Sequence, residues 1–95
     1  MDNRDPNKEI YIKRADAHIL LANEQMNEEV TAGEVSSSFM YGLTRFNAWV
    51  AARSYKSAED LEAEKEKAID YFVTEYKKML EQHINEHIKK FDFDS

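Results

Sequence analysis

The stretch from Val35 to Tyr55 constrains the fold more than any other part of the chain. It contains no acidic residue, although the whole sequence has 19 Asp+Glu against 13 Lys+Arg. At about 100° per residue its apolar side chains form one narrow stripe, and the opposite side is also weakly polar. The stripe comprises Val35, Phe39, Leu43, Phe46 and Val50. Because a helix that is apolar nearly all round is normally surrounded by protein, the pattern predicts a central helix over residues 35–55 that is shielded from water.

The scarcity of turn-forming residues limits the number of elements. Two Gly and one Pro in 95 residues leave few places for the chain to reverse direction. Helical spacing of apolar residues on both sides of the central stretch predicts two more helices, at about 6–30 and 57–90. The expected fold class is therefore all-α, a three-helix bundle or hairpin arrangement in a single domain covering residues 1–95. Residues 1–4 and 92–95 are expected to be loose.

The first helix is expected to begin at Asp5-Pro6, since Asp is a good N-cap and Pro is favoured at the first helical position. One apolar seam runs along it, and a thinner one runs along nearly the opposite side. This pattern indicates one wide face packed between two neighbouring helices, and the alternative is a second interface, for example with another subunit. The seams comprise Ile12, Ala15, Ile19, Ala22, Met26 and Val30, and then Ile10, Ala17 and Leu21. Gly33 stands where a left-handed C-cap would end this helix. The serine run 36–38 is expected to cap the central helix.

The third helix is expected to open at Ser57, because Asp60 three residues later resembles a capping box. Lys89 and Lys90 near its end suit the helix dipole. If unbroken, it would be about 50 Å long against about 30 Å for the central helix, so it must bend, fray or extend onto a partner. Its apolar side carries Leu61, Ala68, Ile69, Phe72, Val73, Tyr76, Met79, Leu80, Ile84 and Ile88.

The charge and composition of the chain exclude several classes of function. A net charge of −6 and a pI near 5.0 argue against binding to nucleic acid or to an anionic membrane surface, which needs clustered Lys and Arg. No stretch approaches the roughly 20 apolar residues of a membrane span. The absence of Cys excludes disulfides and fits a reducing compartment. The expected localisation is cytoplasmic.

Several short helical segments resemble a small bacterial family, found largely in proteobacteria, that is known as a domain of unknown function. These segments are residues 14–19 (RADAHI), 21–25 (LANEQ), 40–41 (MY), 45–50 (RFNAWV), 71–73 (YFV) and 91–92 (FD). The resemblance covers most of the chain and implies a compact helical protein. It implies no assigned activity and supplies no catalytic residue. It does not extend to the histidine pair described next.

His83 and His87 belong to the sequence H-I-N-E-H, which matches the inverted zinc-protease motif. Two imidazoles four residues apart share a helix face and could hold one Zn²⁺, with Glu86 nearby as a base. The site needs a third ligand, and only eight residues follow His87. The two histidines are therefore expected to pack at the edge of a core or interface, and only a dimer that joins two pairs would complete a metal site.

A second group of polar residues lies on the first two predicted helices. It comprises Asp16, His18, Asn23, Arg45, Asn47 and Arg53. Asp16 and Arg45 would pair if their helices face each other, which favours a small buried network that fixes helix register. The functional alternative is a pocket for a small anion around Arg45 and Arg53, which are close to two turns apart.

These observations favour a non-catalytic protein–protein interaction module without a cofactor. The expected partners are a second copy of the chain, in a homodimer, and another protein. The alternative is a small-molecule or anion-binding protein that uses Arg45, Arg53 and nearby aromatic residues. A metal site at His83 and His87 is a third hypothesis.

Overall fold

The protein is all-α, as predicted, and consists of three helices in the part that the structure describes. The structure is a computed structural model that describes residues 6–94. Its helices are α1 (Pro6–Gln25), α2 (Ala32–Arg53) and α3 (Ala58–Lys90), and no strand occurs within this range. α1 is helical from Pro6, the first described residue. The predicted N-cap Asp5 and the residues 1–4 that were expected to be loose lie outside the described range.

The boundary between α1 and α2 differs from the prediction. α1 ends at Gln25 and not near Val30, because Asn27 diverts the backbone into a turn. Its side-chain Oδ1 accepts hydrogen bonds from the backbone N–H groups of Glu29 (2.7 Å) and Val30 (2.9 Å). An Asn side chain that bonds to the backbone in this way competes with helical hydrogen bonding and ends the helix.

α2 begins at Ala32 and not at Val35, because a capping box at Thr31 opens it. Thr31 Oγ1 accepts from the backbone N–H of Glu34 at 3.2 Å, and Glu34 Oε1 accepts from the Thr31 backbone N–H at 3.4 Å. This reciprocal pair satisfies N–H groups that the first turn leaves free. The expected roles of Gly33 as a C-cap and of the serine run 36–38 as an N-cap were therefore wrong. Both lie inside α2, and no described glycine has a positive φ.

α3 opens and closes as predicted. Ser57 is its N-cap in extended conformation, and Ser57 Oγ accepts from the backbone N–H of Asp60 at 3.1 Å. Lys89 and Lys90 lie in its last turn. The helix is unbroken over 33 residues, so its length is about 50 Å at about 1.5 Å per residue.

The chain divides into two compact units within α2, one ending at Arg45 and the other beginning at Phe46. The first contains α1 and the start of α2, and the second contains the end of α2 and α3. Among the described side chains only Val35, in the first unit, is fully buried, at 5% exposure. In the second unit the half-buried side chains include Val50, Leu61, Ala68 and Phe72.

The prediction that α2 is shielded on several sides was wrong. Two residues of the predicted stripe face solvent, Phe39 at 41% exposure and Phe46 at 61%, and Val50 is only half-buried. The physical reason is the number of helices that pack beside each part of α2. Within each unit α2 has one other helix beside it, and a single helix covers only one face of its neighbour. The remaining apolar faces of α2 are open.

No helix in the described range is both long enough and apolar enough to span a membrane.

Candidate functional site

Three side chains near the end of α2 form a stack on the surface of the second unit. Phe46, Trp49 and Arg53 follow one another at spacings of three and four residues, which places them on one helix face. The Phe46 and Trp49 ring centroids are 5.6 Å apart at an interplanar angle of 44°. The Arg53 guanidinium carbon lies 4.9 Å from the Trp49 ring centroid. We call these three residues the α2 stack.

The α2 stack is ordered by its own contacts but is not covered by the chain. Phe46 is 61% exposed and Trp49 is 53% exposed. A cation over an aromatic face is attracted by the ring quadrupole, by about 0.5–1 kcal/mol at an exposed position. The stack is therefore a preorganised group of large side chains that faces solvent.

Arg45 makes a similar contact in the first unit. Its guanidinium carbon lies 5.9 Å from the ring centroid of Tyr41, which is 65% exposed. Each of the two arginines proposed for an anion site thus packs over the aromatic ring four residues before it. They belong to different units, and no anion pocket is assigned to them.

The polar residues expected to form a buried network are mostly exposed. Asp16, His18, Arg45 and Arg53 are exposed, and Asn47 is half-buried. The His18 ring centroid is 6.4 Å from that of Phe39, so α1 and α2 of the first unit pack against each other near these two residues. In the described range no ion pair links Asp16 to Arg45. Because these side chains are exposed, they can form hydrogen bonds with water and do not need each other as partners.

α3 exposes a long row of apolar side chains along one face. The row is 43–67% exposed, and its members fall within about a third of the helix circumference at about 100° per residue. We call it the α3 stripe, and it comprises Ile69, Val73, Tyr76, Leu80, Ile84 and Ile88. The half-buried Leu61, Ala68 and Phe72 lie on a different face, about a third of a turn away. The chain's own packing therefore leaves the α3 stripe open.

The histidine pair lies beside an aromatic cluster at the end of α3. The His87 ring packs edge-on to Phe91, with centroids 5.5 Å apart, and Phe91 contacts Phe93 at 5.0 Å. Phe91 and Phe93 are 55% and 74% exposed. No set of three or more His, Asp or Glu side chains in the described range could hold a metal ion. The described residues therefore supply no third metal ligand beside His83 and His87.

A shallow hollow extends around α3 from Val73 of the stripe to the side that faces away from the stripe. All of its lining residues belong to α3 itself, so it is an open surface of one helix and not an enclosed pocket. It is lined by Val73, Thr74, Lys77, Lys78, Glu81, Gln82 and Asn85. Its lining has no arginine and no aromatic ring, which are the groups that the ligand-binding hypothesis requires.

Sequence reasoning placed all the apolar residues of α3 on one side and did not separate the α3 stripe from the covered face. The signal was present in the three- and four-residue steps from Val73 through Tyr76 to Leu80 and Ile84. The α2 stack was also missed, since Phe46 was assigned to the buried stripe and Arg53 to the polar group or an anion pocket. Spacings of three and four residues identify neighbours on a helix but do not tell which face another helix covers.

Comparison with known proteins gives a family but no activity. The chain matches the family described as a protein of unknown function, DUF3144, over residues 11–88. The NMR structure of the protein NB7890A from Shewanella sp is similar, with a TM-score of 0.77 and 38% sequence identity over 97% of this chain and 91% of that one. No curated protein matches significantly. The resemblance to an uncharacterised helical family is thus confirmed, and the chain belongs to the DUF3144 family of proteins of unknown function.

Proposed function

We propose that this protein is a non-catalytic protein–protein interaction module that acts through exposed apolar helix faces. The observation that carries the proposal is the extent of exposed apolar surface. In the described range 23 large hydrophobic side chains are at least 38% exposed. Soluble monomers rarely leave contiguous apolar patches larger than a few hundred Å² open to water, and larger ones mark interaction sites.

The α2 stack has the composition of an interface hot spot. Trp, Tyr and Arg are the residue types that contribute most to measured binding energies. Phe46 and Arg53 already hold the Trp49 ring in place at 5.6 Å and 4.9 Å. Binding would therefore order few additional side chains, which lowers the entropic cost of association.

Two features favour this proposal over a ligand-binding protein or a metal enzyme. The hollow on α3 is open and lacks the arginines and aromatic rings that would bind an anion. Arg45 and Arg53, the candidate anion ligands, each pack against a ring of their own unit. The proposed partners are a second copy of the chain and another protein of the host, and the proposed setting is the cytoplasm, which the cysteine-free sequence supports.

The test is affinity capture from a lysate of the native host, with wild type compared with Trp49→Ala. Loss of a hot-spot side chain costs about 2 kcal/mol or more, so a specific partner should bind roughly 30-fold more weakly or not at all. Tyr71→Ala is the matched control, because Tyr71 is as exposed as Phe46, at 61%, and lies outside the α2 stack. It should retain the partner.

Circular dichroism must first show that both variants keep the helical content of the wild type. A partner that binds wild type and Tyr71→Ala but not Trp49→Ala supports the proposal. Equal capture by all three chains, or no protein retained by any of them, contradicts a role for the α2 stack in binding.

A further inference from the structure

We propose that two copies of this chain associate through the α3 stripe, with the two α3 helices antiparallel about a two-fold axis near residue 78. This deepens the proposed function, on which it rests, by assigning the second copy to one surface. The α3 stripe is a separate surface from the α2 stack, so the two assignments can fail independently.

The α3 stripe has the dimensions of a helix–helix interface. It runs from Ile69 to Ile88, a distance of about 28 Å at about 1.5 Å per residue. Exposure along it is 45% at Ile69, 61% at Val73 and 67% at Ile88. The last half-buried residues of α3 are Phe72 and Glu75, and every described residue from Tyr76 onward is exposed. Over the distal half of α3 the stripe is therefore an apolar face open to solvent.

Antiparallel pairing places the α3 stripe of one copy against the α3 stripe of the other. If the axis passes near residue 78, Ile69 of one copy lies level with Ile88 of the other. Val73 then lies level with Ile84, and Tyr76 with Leu80. Each apolar side chain of the stripe meets another apolar side chain, as an isologous interface requires.

The charges on α3 select the antiparallel arrangement. Residues 58–70 contain six acidic residues and two lysines, whereas residues 77–90 contain four lysines and two glutamates. In the antiparallel register Asp70 lies level with His87, and Glu66 and Lys67 lie level with Lys90, whereas residues 59–64 extend beyond the partner helix. Lys77 and Lys78 of the two copies meet beside the axis. Parallel pairing would instead set every charge on α3 against its own copy, and juxtaposed like charges oppose association.

The area is sufficient for a specific contact. Half-exposed side chains of this size contribute on the order of 80 Å² each, so the stripe offers roughly 500 Å² per copy. The two copies together would bury about 1,000 Å², the lower limit for a specific interface. Phe91 continues the stripe beyond the end of α3 and is 55% exposed, so it adds to this area.

The same register separates the histidine pairs of the two copies. His83 and His87 of one chain lie opposite residues near Thr74 and Asp70 of the other. The two pairs are then about 20 Å apart along the helices at about 1.5 Å per residue. The dimer therefore does not assemble a four-histidine metal site.

Single cysteines test the register directly, because the native chain has none. Leu80→Cys lies close to the proposed axis, so a bismaleimide that spans about 8–10 Å, the distance between packed helices, should link two copies. Lys78→Cys is the matched control. It lies at the same height on the opposite face of α3, where Lys78 Nζ pairs with Glu75 at 3.0 Å, and it should not crosslink.

Ile88→Cys distinguishes the two orientations. Antiparallel pairing holds the two copies of residue 88 about 28 Å apart, whereas parallel pairing brings them together. If Leu80→Cys loses helical content, the double variant Val73→Cys/Ile84→Cys replaces it, since each cysteine then faces the other residue in the second copy.

Covalent dimers from Leu80→Cys or the double variant, with little from Lys78→Cys and Ile88→Cys, support the proposal. Efficient crosslinking of Ile88→Cys, equal crosslinking of all variants, or none at all overturns it. If no variant crosslinks but Trp49-dependent capture of another protein persists, the dimer alone is rejected and the interaction module stands.

Discussion

Thr31 illustrates how a single residue fixes an element boundary. Its hydroxyl accepts from the Glu34 backbone N–H, and the Glu34 carboxylate accepts from both the hydroxyl and the backbone N–H of Thr31. Together with the turn at Asn27, this reciprocal capping box fixes the start of α2 three residues before the predicted one. Thr44 provides a contrast, because its hydroxyl donates to the Tyr41 carbonyl at 2.9 Å inside the helix, where the backbone is already satisfied.

We expect Thr31→Ala to lower the free energy of unfolding by about 1 kcal/mol, the usual effect of removing an N-cap side chain. Thr44→Ala should change it by less than about 0.5 kcal/mol, as most surface substitutions do. Urea denaturation followed by circular dichroism at one fixed protein concentration measures both. Equal effects of the two substitutions would show that the capping box does not stabilise the start of α2.

At the scale of helices, the sequence was sufficient for the number of helices, the cap at Ser57 and the end of α3 near Lys90, but it left open whether α3 is continuous. These depend on local signals, namely apolar periodicity and capping residues. Burial was not predictable in the same way. The apolar residues of α2 and α3 lie on more than one face, and several of these faces are exposed. Phe46 and Phe72 are both apolar and helical, yet the first is 61% exposed and the second is half-buried.

The candidate site was predictable only in part for the same reason. Arg45 and Arg53 were identified as residues of interest, but their contacts with Tyr41 and Trp49 depend on side-chain orientation. The spacing of four residues permits such contacts and does not require them.

The distal half of α3 should gain protection from hydrogen exchange as protein concentration rises. Every side chain from Tyr76 to Lys90 is exposed, so the amides of this segment open more readily unless a second copy covers the α3 stripe. Amide exchange measured by mass spectrometry at low and high concentration checks this. Amides of α1 between residues 12 and 22 serve as the internal control and should not respond. Protection of α3 that is independent of concentration would contradict the expectation.

For the whole molecule, the central claim is that apolar helix faces left open within the chain, the α3 stripe above all, are covered by a second copy of the chain. An apolar helix face exposed to water is stabilised by a further neighbour, and a small domain gains stability by association. Both units of the chain carry such faces. The claim therefore concerns the state of the molecule in solution.

Sedimentation equilibrium of the unmodified chain at micromolar concentrations tests this claim most directly, with two lysine substitutions on α3 as comparisons. Leu80→Lys places a charge in the α3 stripe of both copies and should weaken association more than about 100-fold. Asn85→Lys adds the same charge on the side facing away from the stripe and should leave association intact. We predict a wild-type mass of about twice 11.2 kDa that falls to 11.2 kDa in Leu80→Lys but not in Asn85→Lys. A wild-type chain that sediments as a single 11.2 kDa species throughout would contradict the claim.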